Sequence, residues 1–187
     1  MNRGTWYNIS ARTRPVKQGT ILMTKGLDQF KLPRWDDLPT VDLYLEQMLT
    51  LVDEWLGDYL SVDGKKIVTK TMVNNYVKQQ YLQAPVNKKY DRLTVACLFV
   101  IATLKPIYTI EEIKRFIDLA LSFDTAPMVY DQFCEMTEQA VAHAFNRTAM
   151  PKPKKEGDPR DLFWNLCNSF ACQLYVKKIY LNAPSAK

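Results

Sequence analysis

The stretch from Ser61 to Arg92 concentrates side chains that can bind phosphate and bond to nucleotide bases. It has seven cations and only two acids, Asp63 and Asp91, so its net charge of +5 equals that of the whole 187-residue chain. The cations are Lys65, Lys66, Lys70, Lys78, Lys88, Lys89 and Arg92. Ammonium groups interleaved with amides favour contact with a nucleic-acid duplex, because cations bind phosphates and amides read base edges. The alternative is a solvated lysine-rich loop.

Two groups of side chains in this stretch have predicted roles in binding double-stranded DNA. The predicted phosphate contacts are Lys70, Lys78, Lys88, Lys89 and Arg92. Thr71, Asn74 and Asn75 are predicted to face base edges, where an asparagine bonded to adenine contributes about 1 to 3 kcal/mol of discrimination. The alternative role for both asparagines is capping, or support of the hairpin that follows. For Tyr76 and Tyr90, packing in the core competes with a phosphate contact.

A pair of helices must position the first of these groups. Apolar residues at helical spacing predict a long first helix from Val41, with Thr40 as its cap. A short second helix is predicted from about Thr71 to Gln80, with Thr69 as its cap. The predicted base contacts therefore fall on the second helix.

A turn follows the second helix and presents the remaining cations. Pro85 and Asn87 mark this turn between two short extended pieces, the one β-hairpin that the sequence predicts. Four further helices are predicted. The first covers about 93–104, and the second begins at the capping box of Thr109 and Glu112. The third covers about 127–146, and the fourth runs from Asp158 and Pro159 to about Tyr180. The predicted fold class is therefore mainly α.

Composition divides the chain into three predicted regions. Residues 1–31 form a basic, loosely ordered arm, since the first 27 residues hold five cations, no acid and several helix breakers. Residues 32–123 form the DNA-binding domain. Residues 124–187 form a helical region for dimerisation or core completion, which contains the linker "RTAMPKPKKEG".

The sequence shows no pattern typical of an enzyme, a metal site or a membrane protein. The four cysteines have no ligand spacing and His143 is the single histidine, so we expect buried thiols, no metal and no disulfide in a reducing cytoplasm. Neither a glycine-rich phosphate loop nor a nucleophile elbow is found, which argues against catalysis and a cofactor. The apolar run "LTVACLFVIATL" is too short to span a bilayer.

The last predicted helix carries more large apolar residues than one narrow face can hold. They are Leu162, Phe163, Leu166, Phe170, Leu174 and Ile179, with Trp164 and Tyr175 off the main stripe. This excess predicts either burial on two sides or a homodimer interface. The alternative is that the helix folds back over the first helix, near Trp55 and Leu56.

The order of these elements resembles the winged helix-turn-helix domain of MerR-type regulators. The segments that carry the resemblance are "TMVNNYVK", "APVNKKYDRL", "IATLK" and "YTIEEIKRFID", about fifty residues in all. The resemblance implies a transcriptional regulator with a recognition helix and a basic wing, followed by a dimerising helix and an effector module whose ligand is unknown. Base preference does not carry over, because Val73 to Tyr76 departs from the usual arginine and paired tyrosines and the wing is short and lacks glycine.

Over roughly residues 32–120, "LPRWDDLPTVDLYLEQM", "TKTMVNNYVKQ" and "KKYDR" also resemble a family of bacterial proteins grouped as a domain of unknown function. A different class of function remains open beside DNA binding. In that alternative the winged domain is a non-enzymatic protein-interaction adaptor, with the acidic first helix and the basic hairpin as separate charged faces.

Overall fold

The computed structural model of the chain describes residues 27, 30–61, 64–153, 158 and 160–181. These residues form two short strands and six helices: β1 (Leu43–Tyr44), α1 (Leu45–Leu60), α2 (Lys70–Lys78), β2 (Lys89–Tyr90), α3 (Arg92–Leu104), α4 (Ile110–Leu121), α5 (Ala126–Asn146) and α6 (Arg160–Val176). A 3-10 turn (Trp35–Asp37) precedes β1, and a π-helical turn (Lys177–Leu181) extends α6. The predicted mainly α fold is confirmed. Within the described part of the chain, no helix is both long and apolar enough to cross a bilayer.

The start of α1 differs from the prediction. The helix begins at Leu45 rather than Val41, so Thr40 is not its cap. Leu43 and Tyr44 instead form β1, which pairs antiparallel with β2. The side chain of Gln47 accepts a hydrogen bond from the backbone N–H of Tyr44 at 2.9 Å and closes the first turn. The pairing with β2, which lies far along the chain, therefore overrides the local pattern that predicted a helix from Val41.

The short helix α2 begins where the sequence predicts. The hydroxyl of Thr69 accepts a hydrogen bond from the backbone N–H of Met72 at 3.3 Å, which satisfies one free donor of the first turn. Val73 and Tyr76 are buried and hold the helix against the core. Both α2 and β2 pack against α1.

The predicted turn after α2 is confirmed at Asn87. Val86 and Lys89 exchange two backbone hydrogen bonds, each 2.9 Å long, across a turn made by Asn87 and Lys88. Both central residues have positive φ, 51° and 64°. This is the geometry of a type I′ hairpin turn, whose twist matches that of the flanking strands. Because Lys89 also pairs with Tyr44, β2 lies between Val86 and β1.

Side-chain caps begin the later helices. Asp91 accepts the backbone N–H of Thr94 at 2.8 Å at the start of α3. The predicted capping box of Thr109 and Glu112 is confirmed at the start of α4, with bonds of 2.8 and 3.2 Å. At the start of α6 the carboxylate of Asp158 accepts the backbone N–H of Arg160 at 2.9 Å, whereas Pro159 lies outside the described residues.

One hydrophobic core runs through the predicted regions without a break. Leu27 and Phe30 belong to the predicted arm, yet both are buried in this core. The five cations of the first 27 residues lie outside the described residues, whereas Lys31, the last residue of the arm, is described. On the other side, α4 packs against α5 and α3 packs against α6, so the core continues across the predicted boundary at 123/124.

Glu138 on α5 ties the segment before β1 to the core. It is 8% exposed and accepts bonds from the ammonium of Lys31 at 2.9 Å and the backbone N–H of Leu32 at 3.0 Å. The guanidinium of Arg34 donates to both carboxylate oxygens, at 2.8 and 2.9 Å. Burial opposes ionisation of Glu138, but the bonds from Arg34, Leu32 and Lys31 outweigh it and lower its pKa.

The apolar side chains of α6 are covered from more than one side. Phe163, Leu166, Phe170 and Leu174 are buried, and α6 packs against α5 and α3. The ring of Phe170 lies 5.9 Å from that of Phe30. Burial within the fold therefore accounts for the apolar excess of this helix, and a homodimer stays a prediction.

The prediction that all four thiols are buried holds for two of them, is only partly met at Cys97 and is wrong for Cys172. Cys134 and Cys167 are buried, Cys97 is half-buried and Cys172 is exposed. Cys172 follows Cys167 by five residues, which turns its side chain away from the buried face of α6.

Candidate nucleic-acid interface

The outer face of α2 carries polar and cationic side chains at helical spacing. All four are exposed: Thr71, Asn74, Asn75 and Lys78. Positions i, i+3, i+4 and i+7 share one face of a helix, so these side chains form one row. Val73 and Tyr76 occupy the opposite face and are 0% and 6% exposed. The packing of α2 therefore directs three predicted base contacts and one predicted phosphate contact outward together.

The amides of Asn74 and Asn75 make no side-chain hydrogen bond to any residue that the structure describes. The backbone carbonyl of Asn75 accepts the N–H of Gln79 at 3.0 Å, but this bond does not involve its amide. Neither side chain caps the helix or supports the turn after α2, which was the alternative role. Both amides therefore keep their full capacity for hydrogen bonds to a ligand.

Tyr76 and Tyr90 belong to the core. They are 6% and 5% exposed, and burial raises the pKa of both phenols. Of the two roles open to these tyrosines, core packing is the one that the structure supports. Their contribution to the interface is to anchor α2 and β2 beneath it.

Lys88 is exposed at the tip of the turn and has a left-handed backbone conformation, with φ 64°. Asparagine tolerates this conformation at Asn87, whereas a long side chain pays a steric cost there. Glycine would remove that cost. Lys88 therefore combines a strained backbone with an exposed charge. Such a combination motivates a functional hypothesis.

The outer face of the small sheet combines a cation with apolar groups. Tyr44 and Val86 both pair with Lys89, so the three side chains share one face, while Leu43 and Tyr90 point into the core. The ammonium of Lys89 lies 5.1 Å from the centroid of the Tyr44 ring. Tyr44 and Val86 are 50% and 67% exposed. The sheet thus presents an apolar surface beside its cations.

Arg92 makes more contacts within the protein than the other predicted phosphate contacts. Its Nε donates to the carbonyl of Pro39 at 3.2 Å, and its guanidinium lies 3.8 Å from Asp36 and 5.7 Å from the centroid of Trp35. Its side chain is 20% exposed. These contacts place Arg92 at the base of the interface, where it joins α3 to the segment before β1.

Most of the interface cations have no carboxylate partner among the described residues. Lys70 lies 3.4 Å from Glu46 in a pair whose two members are exposed, which contributes little to stability. For Lys78, Lys88 and Lys89, no carboxylate of the described residues lies within ion-pair distance. These three ammonium groups are therefore open to an external anion.

A hydrogen bond links the end of α2 to α4. Tyr81 follows α2, and its hydroxyl donates to the carboxylate of Glu111 at 2.8 Å. This bond raises the pKa of Tyr81. The pKa of Glu111 is lowered, first by its own backbone N–H and then by Tyr81. The segment between α2 and the turn is thereby fixed to a helix outside the interface.

Sequence reasoning missed Tyr44 and Val86 as members of this surface. Tyr44 was assigned to a helix, and its exposure beside Lys89 depends on a strand pairing that no neighbouring residue signals. The strained conformation of Lys88 had a detectable signal. One residue separates Asn87 from the returning strand, which is the spacing of a hairpin with a two-residue loop. Its type I′ turn requires positive φ at both central positions.

Comparison with known proteins identifies a family. No curated protein and no solved structure matches the chain. The sequence matches the family described as "Domain of unknown function (DUF1836)" over residues 33–133, just over half of the chain. This range contains α1 to α4, the whole candidate interface and the first part of α5. The chain therefore belongs to the DUF1836 family.

Proposed function

We propose that this protein is a transcriptional regulator that binds double-stranded DNA sequence-specifically through a MerR-like winged helix-turn-helix. In this proposal α1 and α2 form the helix-turn-helix, α2 is the recognition helix, and the turn from Val86 to Lys89 is the wing. The observation that carries the proposal is the outer face of α2, where Asn74 and Asn75 have unpaired amides between Thr71 and Lys78.

The dimensions and the polarity of α2 suit the major groove. An α-helix with its side chains is about 10 to 12 Å in diameter, which fits the major groove of about 12 Å. Lysines at the two ends of the helix, Lys70 and Lys78, would contact phosphates on either side while the asparagines reach base edges. Lys88 and Lys89 on the wing supply further phosphate contacts, and Arg92 holds the base of the wing.

Selection from random DNA duplexes with the purified protein tests the proposal. Enrichment of a sequence motif is the expected result, because the unpaired amides distinguish base pairs by their donors and acceptors. If the bound duplexes show no motif, or if binding is absent even near 50 mM salt, where phosphate contacts are strongest, the proposal is wrong.

Replacement of Asn74 by alanine should change the selected motif more than the overall affinity for DNA. The expected loss is about 1 to 3 kcal/mol of discrimination at one base pair. The measurement is a comparison of motifs selected by the wild type and by N74A. Asn146→Ala is the matched control, since it removes an exposed amide at the end of α5, far along the chain from the interface. Identical motifs for the wild type and N74A would exclude base reading by Asn74.

A homodimer is part of the proposal. Two copies would read two half-sites about one helical turn apart, and the selected motif would then be palindromic. Sedimentation measures this directly. A species of 21.7 kDa at all concentrations of the free protein, together with a stoichiometry of one chain per selected duplex, would exclude the dimer.

The apolar part of the surface favours a second candidate function. Val41, Tyr44 and Val86 are each at least half exposed, and Tyr44 and Val86 lie beside Lys89. This mixture also suits a protein partner with acidic and apolar groups. As an interaction adaptor the protein would bind duplexes weakly and without sequence preference, and N74A would have no effect. The selection experiment therefore separates the two functions.

A further inference from the structure

Tyr44 on β1 and Lys89 on β2 lie directly opposite each other in the small sheet. Opposite side chains of an antiparallel pair leave the sheet on the same face, so they can contact each other. The ammonium of Lys89 lies 5.1 Å from the centroid of the Tyr44 ring, within the range of a cation–π interaction. The ring therefore contacts a cation that no carboxylate of the described residues neutralises.

The core and the turn fix the backbone on both sides of this contact. Leu43 and Tyr90, the neighbouring pair of the sheet, are buried and hold both strands against the core. On its other side Lys89 exchanges two backbone hydrogen bonds with Val86, each 2.9 Å long. The half-buried side chain of Lys89 thus lies between Tyr44 and Val86. Such a stem can pack along apolar groups while its charged end stays at the surface.

A lysine held in this way is better prepared to bind a phosphate than a lysine in free solution. A long side chain loses rotamer freedom when its end group is fixed, and this loss opposes binding. Contact with a ring in the unbound protein removes part of that loss beforehand. The ring covers one side of the ammonium, which has three donors, so a phosphate oxygen can approach from another side.

We propose that Tyr44 is a positioning residue for DNA binding, whose ring holds the ammonium of Lys89 in place to contact a phosphate. This inference rests on the proposed function, in which Lys89 belongs to the wing. It assigns to the exposed ring of Tyr44 a role in DNA binding through Lys89. The opposite effect is that the ring withdraws the ammonium from DNA, and the sign of the change in affinity on removal of the ring separates the two.

The test combines Tyr44→Ile with Lys89→Ala in a double-mutant cycle, with equilibrium binding to the selected duplex as the measurement. Isoleucine removes the ring and keeps the preference for a strand. Y44I should bind about two- to fivefold more weakly than the wild type, the range for an exposed cation–π contact. In the K89A background the same change should have no effect. A merely structural role of Tyr44 would weaken binding equally in both backgrounds.

Two further variants and one measurement without DNA complete the test. Tyr44→Phe keeps the ring and should bind as tightly as the wild type. Tyr180→Ile is the matched control, because it removes an exposed ring near the end of the described chain, outside the interface. In NMR spectra of the free protein, the methylene protons beside the Lys89 ammonium should be shifted upfield by the ring in the wild type and Y44F, and not in Y44I.

The outcomes separate this inference from the proposed function. Equal or tighter binding by Y44I, or equal losses in both backgrounds, would overturn the role of Tyr44 and leave sequence-specific binding intact. If the protein binds duplexes without a motif, the proposed function is wrong, but the same cycle on a duplex of arbitrary sequence still tests Tyr44, since phosphate contacts do not depend on sequence. Absence of binding to any duplex near 50 mM salt would overturn both.

Discussion

Lys88 combines an unfavourable backbone conformation with a charge that no described carboxylate neutralises. At φ 64° its side chain crowds the backbone, and the cost of this crowding is on the order of 1 kcal/mol. The two backbone bonds between Val86 and Lys89 hold the turn in place despite this cost. A residue chosen for stability alone at this position would be glycine. We therefore propose that the ammonium of Lys88 contacts a bound phosphate.

Replacement of Lys88 by glycine should separate stability from DNA binding. The free energy of unfolding should rise by about 0.5 to 1 kcal/mol, because glycine adopts positive φ without a steric cost. Affinity for the selected duplex should fall, and the slope of log K against log salt should become shallower by about 0.9. Urea denaturation and a salt titration measure the two effects.

Lys88→Ala is the control for this prediction. Alanine removes the charge but keeps a Cβ at the strained position, so it should weaken DNA binding as glycine does without the gain in stability. If K88G binds DNA as tightly as the wild type, the lysine does not contact phosphate.

At the level of elements, the segment before β1 is held to α5 by two carboxylates, Glu138 and Asp131. Glu138 receives donors from Lys31, Leu32 and Arg34, and the chain then places the backbone N–H of Trp35 2.7 Å from Asp131. The segment ends at β1, whose pairing with β2 positions the wing. Glu138 is therefore a positioning residue for the interface, although it lies outside it.

Glu138→Gln should lower the free energy of unfolding by about 1.5 to 3 kcal/mol at neutral pH, since it weakens hydrogen bonds to a charged group. The pKa of Glu138 is lowered in the folded state, so its contribution is fully present above the unfolded-state pKa of about 4.3. The contribution is lost as the pH falls from there through the lowered folded-state pKa. The difference in stability between the wild type and E138Q should therefore shrink below about pH 4.

Denaturation at pH 7 and at several values below pH 4.5 measures this dependence. Glu135→Gln provides the control on the same helix, because Glu135 is exposed and bonds only to Gln139 among the described residues. Its effect should be small at every pH. A difference between the wild type and E138Q that stays constant across the acid range would contradict the assigned role of the carboxylate.

Short-range signals made part of this arrangement predictable from the sequence. The caps at Thr69 and Thr109 lie within three residues of the groups they bond, and α2 and α4 begin where these caps predict. The outward row on α2 follows from helical spacing alone. By contrast, the pairing of Leu43 with Tyr90 joins residues far apart in the chain, and the partners of Glu138 lie about a hundred positions away. Local pattern carries no information about such contacts.

At the scale of the whole molecule, the location of charge matters more than its amount. The net charge of +5 equals that of residues 61–92 alone, and the rest of the chain balances. Within that range the loop before α2 and the wing each hold a pair of adjacent lysines. The two pairs are Lys65 with Lys66 and Lys88 with Lys89. If DNA binding came from a general attraction to a basic protein, the two pairs would contribute equally to it. If the wing touches the duplex, the pair on the wing would contribute more.

Two double variants of equal charge distinguish these cases. Lys88→Ala with Lys89→Ala should reduce affinity for the selected duplex and make the salt slope shallower by nearly two, about 0.9 for each lost phosphate contact. Lys65→Ala with Lys66→Ala should leave the slope close to that of the wild type, since Lys66 already lies 3.8 Å from Asp53 and neither residue belongs to the wing. Equal changes in both slopes would show that the bulk charge, and not the wing, binds the DNA.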